Sequence, residues 1–256
     1  MRYDTFMQNV SLLSILAGLF EVSFEDVTIA DLSIVARGIN DLWKLSKTTD
    51  TLPPHMLSDI NTRLRAWIPA QPNPVDFIIP AFETMWRVVA ITVAYTHADP
   101  LARTVLHIFL TDPTAAAFTR SDSDTPSVEA LITETIRLHP PTRRISRHVT
   151  AGSTQVAVAD IGALHRDKGI WGADADVYNA TRHQHRTPEQ AQALLGFGAG
   201  TLKCVASRWA PHAAGIIVAT IADRIADGIE IVEGKGIGTG GRDGWEGWSV
   251  ECVECA

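Results

Sequence analysis

The sequence is poor in cysteine, and this shortage excludes one class of protein. Its 256 residues contain three cysteines, Cys204, Cys252 and Cys255. Three thiols cannot build the disulfide framework that stabilises small secreted proteins. A chain of this length buries enough apolar surface to fold without such cross-links. We therefore expect a globular protein of a reducing, cytoplasmic compartment.

Positive charge is also scarce. Lys and Arg number 22 against 29 Asp and Glu, which leaves a formal net charge of −7 with His neutral. Nucleic-acid binding needs a positive field around the phosphates, so this balance argues against a nucleic-acid partner. The chain is 46% hydrophobic and 20% charged, which is typical of a folded domain rather than of a disordered segment.

No uninterrupted hydrophobic run is long enough to span a membrane. The uncharged stretch at residues 10–20 is shorter than the roughly 20 residues that a bilayer requires, and acidic residues follow it closely. The longer run at residues 75–95 contains Asp76, Glu83 and Arg87. We predict two buried helices here, with no membrane span and no signal peptide.

Apolar residues recur at helical spacing along most of the chain, which predicts a mainly α fold with a small β component. Helices are expected at residues 10–20, 29–46, 75–95 with a kink or break at Pro80, 127–138 and 205–226, and a polar amphipathic segment follows the break at residues 51–54 up to Trp67. Strands are expected at residues 145–149 and 155–159, and an irregular polar stretch at residues 164–188. Such a long irregular stretch is usually functional. Because no linker is visible, residues 1–256 are predicted to form a single domain.

Glu134 and Arg137 form the first pattern that carries chemistry. They lie three residues apart on the helix predicted at residues 127–138, so the two charges can pair on one face. Taken alone, such a pair is most often solvated at the surface.

A glycine-rich loop before Cys204 forms the second pattern. It leads directly into the helix predicted at residues 205–226. A cysteine at this junction lies near the positive end of the helix dipole, which favours its thiolate form. A thiolate there suits a haem iron as a single axial ligand. The alternative is a structural cysteine at the start of a core helix.

In their order and spacing these patterns resemble the cytochrome P-450 family of haem-thiolate monooxygenases, over roughly residues 75–256. The resemblance implies a truncated P-450-like fold with haem as its cofactor and Cys204 as the ligand of the haem iron. Glu134 and Arg137 match the family's E-x-x-R pair. Arg182 matches the loop arginine that completes a buried Glu-Arg-Arg lock.

The resemblance also implies haem contacts from the loop before the cysteine, from the residue two positions after it and from one arginine upstream: Phe197, Gly200, Lys203, Ala206 and Arg147. Two residues before the cysteine the family commonly has an arginine or histidine that binds a haem propionate, but this chain has Leu202. The cation nearest to that position is Lys203, the next residue. His183 stands at the aromatic position after the loop arginine, and Ala180 replaces the usual proline.

Residues 80–84 resemble the family's oxygen-activating segment. The resemblance implies that Glu83 and Thr84 deliver protons during catalysis, from a helix that Pro80 distorts. The alternative is a proline-kinked core helix in which Glu83 pairs with Arg87, four residues further on.

From this resemblance we expect an enzyme acting on a small apolar natural product. Nothing matches the N-terminal parts of the family, which form much of the surface where electron donors dock. The expected reaction is therefore an oxygenation, or a peroxide-driven or redox-neutral rearrangement or cyclisation, and the electron donor is left open. The alternative is a haem-free relative that binds or cyclises an apolar ligand. A homodimer would cover the apolar surface that truncation exposes.

Three other motifs have simpler explanations. Cys252 and Cys255 lack the second ligand pair of a zinc site, which favours a solvated tail. His165, His183 and His185 could hold a metal, but loop histidines are more often exposed. The glycine-rich residues 234–241 lack the Lys-Ser/Thr ending of a phosphate loop, so we predict a hairpin tip that Trp245 and Trp248 anchor.

Overall fold

The computed structural model describes residues 1–49, 51–149, 154–238 and 240–253. Within this part the chain is mainly helical and carries two short antiparallel hairpins, so the predicted mainly α fold class is confirmed. The chain divides into two compact units. Unit 1 comprises Met1–Ala90, Gly228–Lys235 and Trp245–Ala256, and unit 2 comprises Ile91–Asp227 and Gly236–Gly244. The single domain expected over residues 1–256 stays a prediction.

Unit 1 is built from N-terminal helices and one hairpin. Its elements are α1 (Tyr3–Phe20), α2 (Ile29–Leu45), α3 (Pro54–Trp67), the part of α4 (Val75–Thr96) up to Ala90, β3 (Ile229–Val232) and β4 (Ser249–Cys252). Helix α1 packs on α2 and β4, and α2 packs on α3. The Tyr3 hydroxyl donates to the Ala90 carbonyl at 2.6 Å, which ties the start of α1 to α4.

Among the described residues, α4 is the one helix that is both long enough and apolar enough to cross a membrane. Its most apolar 18-residue stretch is 72% buried, as in the core helix of a folded protein. The helix runs from Val75 to Thr96 with Pro80 inside it, so the chain is not broken at Pro80. The predicted ion pair within this helix is present: Arg87 Nη2 lies 3.0 Å from Glu83 Oε2, and both side chains are buried.

Unit 2 holds the remaining helices, packed around α7 and the last long helix. Its further elements are α5 (Pro100–Thr111), α6 (Ala115–Thr119), α7 (Val128–Leu138), β1 (Arg144–His148), β2 (Val156–Asp160), α8 (Ile161–Leu164), α9 (Lys168–Trp171), α10 (Pro188–Ala193) and α11 (Ala210–Ala226), with 3-10 turns at Ala180–His183, Gly200–Leu202 and Val205–Arg208. Helix α11 packs on α5, α6 and α7. The hairpin β1–β2 lies one residue from the predicted strand positions.

The start of α11 corrects the helix predicted at residues 205–226. Cys204 precedes a 3-10 turn, Val205–Arg208, and the α-helix begins only at Ala210. Pro211 occupies its first turn, where the missing N–H of proline costs no helical hydrogen bond. Cys204 therefore does not lie at the N-terminus of the long helix. The dipole of α11 cannot stabilise its thiolate in the way that the sequence predicted.

Candidate functional site

Helix α7 positions the first two residues of the candidate site. Ser127 caps it, because its hydroxyl oxygen accepts the Ala130 N–H at 3.1 Å. Glu129 lies in the first turn and Arg137 in the last, which suits the helix dipole at both ends. Every residue of α7 is buried except Glu129 and Thr133. The helix therefore carries Glu134 and Arg137 into the interior of unit 2.

Hydrogen bonds join Glu134, Arg137 and Arg182, here called the Glu-Arg-Arg lock. Arg137 donates from Nε to Glu134 Oε2 at 2.7 Å and from Nη2 to Oε1 at 2.8 Å. Arg182 donates from Nε to Glu134 Oε1 at 3.0 Å. The side chains of Glu134 and Arg137 are fully buried, and that of Arg182 is 8% exposed. The alternative of a solvated surface pair is therefore excluded.

Two further groups bind the same carboxylate. The Asn179 N–H donates to Glu134 Oε1 at 2.9 Å, and the His183 ring lies with Nε2 at 2.8 Å from Oε2. Burial alone would raise the pKa of Glu134, but the hydrogen bonds from Arg137 and His183 overcome this and lower it to about 2. Burial also lowers the pKa of His183, so a neutral imidazole donates to the carboxylate. The carboxylate is therefore held ionised by five donors.

Backbone carbonyls of the loop after α8 surround the two arginines. Arg137 donates to the carbonyls of His165 and Ala175, and its guanidinium lies 5.0 Å from the centre of the Trp171 ring. Arg182 donates to the Trp171 carbonyl at 3.1 Å and to Asp174 Oδ2 at 2.9 Å. The polar stretch at residues 164–188 is thus wrapped around the lock. Within it, α9 is capped by Asp167 and the 3-10 turn by Asn179.

The cysteine loop (residues 195–204) packs directly on α7. A Cβ added to Gly196 would lie 2.2 Å from Ile136 Cγ2, so only glycine fits at this approach. The Cys204 N–H donates to the Phe197 carbonyl at 2.8 Å, which closes the loop. Gly198 and Gly200 have φ of 71° and 64°, in the left-handed region that favours glycine.

The predicted residues of this loop differ in exposure. Cys204, Lys203 and Gly200 are exposed, whereas Phe197 and Ala206 are half-buried. Cys204 is therefore not a buried structural cysteine, which was the alternative. The side chain at position 202 and all of Cys255 lie outside the described residues. The C-x-x-C motif is thus described only at Cys252, which is exposed.

Arg147 lies apart from the lock, on strand β1. Its side chain is exposed and donates to the Ser146 carbonyl at 2.8 Å. Glu83 and Thr84 belong to unit 1, on α4. Glu83 is buried and ion-paired with Arg87, and Thr84 is half-buried. The haem-contact role of Arg147 and the proton-delivery roles of Glu83 and Thr84 stay predictions.

Of the three histidines of the polar stretch, His185 is exposed, as the simpler explanation predicts, whereas His165 and His183 are buried, contrary to it. His165 is 0% and His183 8% exposed, because both join the surroundings of the lock. Within residues 1–49, 51–149, 154–238 and 240–253, no cluster of three or more His, Cys, Asp or Glu side chains is arranged to hold a metal ion. Trp245 and Trp248 are buried and contact Tyr3 with ring centres 4.9 and 5.3 Å apart, so they hold the segment before β4 against α1. The predicted hairpin tip at residues 234–241 includes residue 239, which lies outside the described residues.

No family model matches the chain, but curated proteins do. A cytochrome P-450 of Panax ginseng is 32% identical over 108 residues, covering 37% of this chain and 21% of the relative. A bifunctional cytochrome P-450/NADPH–P-450 reductase of Bacillus subtilis is 25% identical over 161 residues, covering 57% and 15%. The cyclooctat-9-en-7-ol 5-monooxygenase of Streptomyces melanosporofaciens is 28% identical over 165 residues, covering 59% and 35%.

These relatives confirm the resemblance drawn from the sequence, since all are cytochrome P-450s. The chain spans 21% of the length of the Panax ginseng relative and 21% of that of a cytochrome P-450 of Arabidopsis thaliana. It is a cytochrome P-450-like chain that matches only part of its relatives, with a mainly α fold.

Proposed function

We propose that the chain is the haem-binding part of a haem-thiolate oxidoreductase with Cys204 as the ligand of the iron. The observation that carries this proposal is the contact of the cysteine loop with α7, the helix that carries Glu134 and Arg137 of the buried lock. Gly196 lies against Ile136, next to Arg137 on α7. The lock therefore provides a rigid base for the loop that presents Cys204.

The donor chemistry of the cysteine loop fits haem better than a bare metal ion. A metal ion bound by protein alone needs several side-chain ligands, whereas haem supplies four nitrogens itself and takes one axial thiolate. Cys204 is exposed, and the neighbouring Val205 is 89% exposed. An accessible thiol beside an uncovered apolar side chain suits a flat apolar ring system.

Two cationic side chains would complete the binding of the group. Lys203 and Arg147 are both exposed and so are available to pair with the propionates. When bound, haem would supply oxygen or peroxide chemistry, which thiolate donation promotes.

Glu83 and Thr84 are the proposed proton-delivery residues. Burial lowers the pKa of Arg87 only to about 10, so its guanidinium remains charged near neutral pH and holds the Glu83 carboxylate in place. The Thr84 hydroxyl lies one residue further along α4 and is half-buried. Thr84 Oγ1 is thus the accessible atom from which a proton would pass on.

The substrate, the electron source and the location belong to the same proposal. We expect a small apolar natural product as substrate, converted by oxygenation or by a peroxide-driven or redox-neutral rearrangement. A separate electron donor would serve the first of these reactions. We place the protein in the cytoplasm, and the expected homodimer is tested by its mass in solution.

Haem titration of the purified protein tests the proposal. We expect one haem per chain, with a spectral change that saturates at that ratio. Cys204→Ser should lose this spectrum, whereas Cys252→Ser, which removes another exposed thiol, should keep it. A wild-type protein that binds no haem would contradict the proposal and leave the haem-free binder or cyclase. An unchanged spectrum in Cys204→Ser would contradict the assignment of the ligand.

A further inference from the structure

His165 links helix α7 to the entrance of the cysteine loop. Its side chain is fully buried, and each ring nitrogen has a backbone partner. Nδ1 lies 2.9 Å from the Arg137 carbonyl oxygen. The Leu195 N–H donates to Nε2 at 3.1 Å. One imidazole therefore bridges the lock and the loop.

The two partners determine the form of the ring. Because the Leu195 N–H can only donate, Nε2 must be the unprotonated acceptor. Nδ1 then carries the proton and donates it to the Arg137 carbonyl. Burial lowers the pKa of His165 to about 4, so the neutral ring that both bonds require is present at neutral pH.

The bond to Leu195 fixes the backbone that leads to Cys204. Leu195 is followed by Gly196, which lies against Ile136. The next residue, Phe197, accepts the Cys204 N–H. The Leu195 N–H also contacts the Ala193 carbonyl within its own turn. Among the described residues, His165 is its partner from a distant part of the chain.

We infer that His165 is a positioning residue: it holds the entrance of the cysteine loop against α7 and so sets the position of Cys204. A role for Cys204 as an iron ligand rests on the proposed function, whereas the positioning itself does not. No motif in the sequence assigns this role, because both partners of the ring are backbone groups.

Two substitutions separate the two hydrogen bonds of the ring. In His165→Asn the side-chain amide can still donate to the Arg137 carbonyl but does not reach Leu195. In His165→Gln the longer side chain places an oxygen where Nε2 accepts the Leu195 N–H. Trp171→Phe is the matched control, because it removes the bond from the indole N–H to the Leu164 carbonyl, 3.1 Å long, in the same buried cluster.

Amide hydrogen exchange of the haem-free protein measures the position of the loop directly. Losing one buried hydrogen bond should speed exchange at Leu195 and Cys204 by roughly tenfold in His165→Asn. His165→Gln and Trp171→Phe should keep the wild-type rates at both amides. Unchanged protection in His165→Asn, or equal loss in all three variants, would overturn the inference.

A measurement on the wild-type protein covers the case in which His165→Asn does not fold. Nitrogen-15 NMR of the ring should find Nδ1 protonated and Nε2 bare at pH 7. A proton on Nε2 would overturn the inference, since the bond from Leu195 could not then exist.

The haem-loaded protein gives an independent readout. The fraction of ferrous carbonyl complex with a thiolate-type spectrum should fall in His165→Asn and be retained in His165→Gln. If wild type binds no haem, the proposed function fails while the exchange rates still decide the role of His165. If wild type binds haem and all variants match it in spectrum and in exchange, only the inference about His165 fails.

Discussion

Arg137 and Glu134 form a two-point ion pair in which neither side chain has any exposure to solvent, with N–O distances of 2.7 and 2.8 Å. A pair so deeply buried is stable only because every remaining site on both groups is hydrogen-bonded. The pair lies on the last turns of α7, and Gly196 of the loop that ends at Cys204 packs on Ile136, the residue before Arg137. The helix that carries the ion pair therefore also supports the loop of the proposed haem ligand.

Removing one member of the pair should strongly destabilise unit 2. Arg137→Ala leaves the Glu134 carboxylate buried with fewer donors, and we expect a loss of about 3 to 5 kcal/mol in the free energy of unfolding. Urea unfolding followed by circular dichroism measures this loss.

The exposed pair of Arg144 and Asp160 serves as the control. Its N–O distance, 3.0 Å, is ordinary, but the arginine side chain is 74% exposed, so Arg144→Ala should cost less than about 1 kcal/mol. Equal losses in the two variants would show that burial does not govern the lock.

The lock was implied by the resemblance to cytochrome P-450s and not by spacing. Glu134 and Arg137 lie three apart on a helix, which taken alone favours a solvated pair, and Arg182 was assigned to the lock only by the resemblance. His165 and His183 were not predictable as its partners. Their ring nitrogens bind backbone groups and a carboxylate that only the tertiary structure brings near, and their polar surroundings in the sequence indicated exposure.

Two helix boundaries differ from the sequence prediction, although the sequence carries a signal for each. Helix α5 was missed although Asp99 and Pro100 form a start signal: the Asp99 carboxylate accepts the Leu101 N–H at 2.9 Å, and proline occupies the first turn. The apolar run predicts the start of α11 too early, at residue 205, because the run begins before Pro211, which occupies the first turn. Both signals are local and were available in the sequence.

Stability should depend on pH in two ranges, one set by His165 and a lower one set by Glu134. The folded-state pKa of His165 is lowered from 6.5 to about 4, so the unfolded chain binds the proton first as pH falls. Stability is then fully present above pH 6.5 and is lost between there and about pH 4, by up to roughly 3 kcal/mol. Unfolding free energies from pH 7 to pH 4 should fall less in His165→Gln than in wild type. Parallel curves would contradict a buried neutral ring.

Glu134 acts in the lower window. Its pKa is lowered from 4.5 to about 2, so the stability that it contributes is present above pH 4.5 and lost as pH falls towards 2. Glu134→Gln should therefore be less stable than wild type at pH 6, with the difference narrowing below pH 4. A difference that stays constant down to pH 2 would argue that the carboxylate charge is not what the lock uses.

The close approach of Gly196 to Ile136 makes a steric prediction. In Gly196→Ala the added methyl overlaps a branched methyl near the backbone, and we expect about 1 to 3 kcal/mol of destabilisation. Combined with Ile136→Ala, the total loss should be smaller than the sum of the two single losses, because the second substitution removes the overlapping atom. Gly18→Ala is the control: nothing lies within 4 Å of its added Cβ, and alanine inside α1 should stabilise by up to about 1 kcal/mol. Additive effects of the Gly196 and Ile136 substitutions would contradict the contact.

The ferrous carbonyl spectrum of the haem-loaded protein tests the central claim most directly. The account predicts a red-shifted, thiolate-type band in wild type and in Cys252→Ser, and its loss in Cys204→Ser at unchanged circular dichroism. A wild-type spectrum without this band, or a band that survives in Cys204→Ser, would contradict the assignment of Cys204 as the haem ligand.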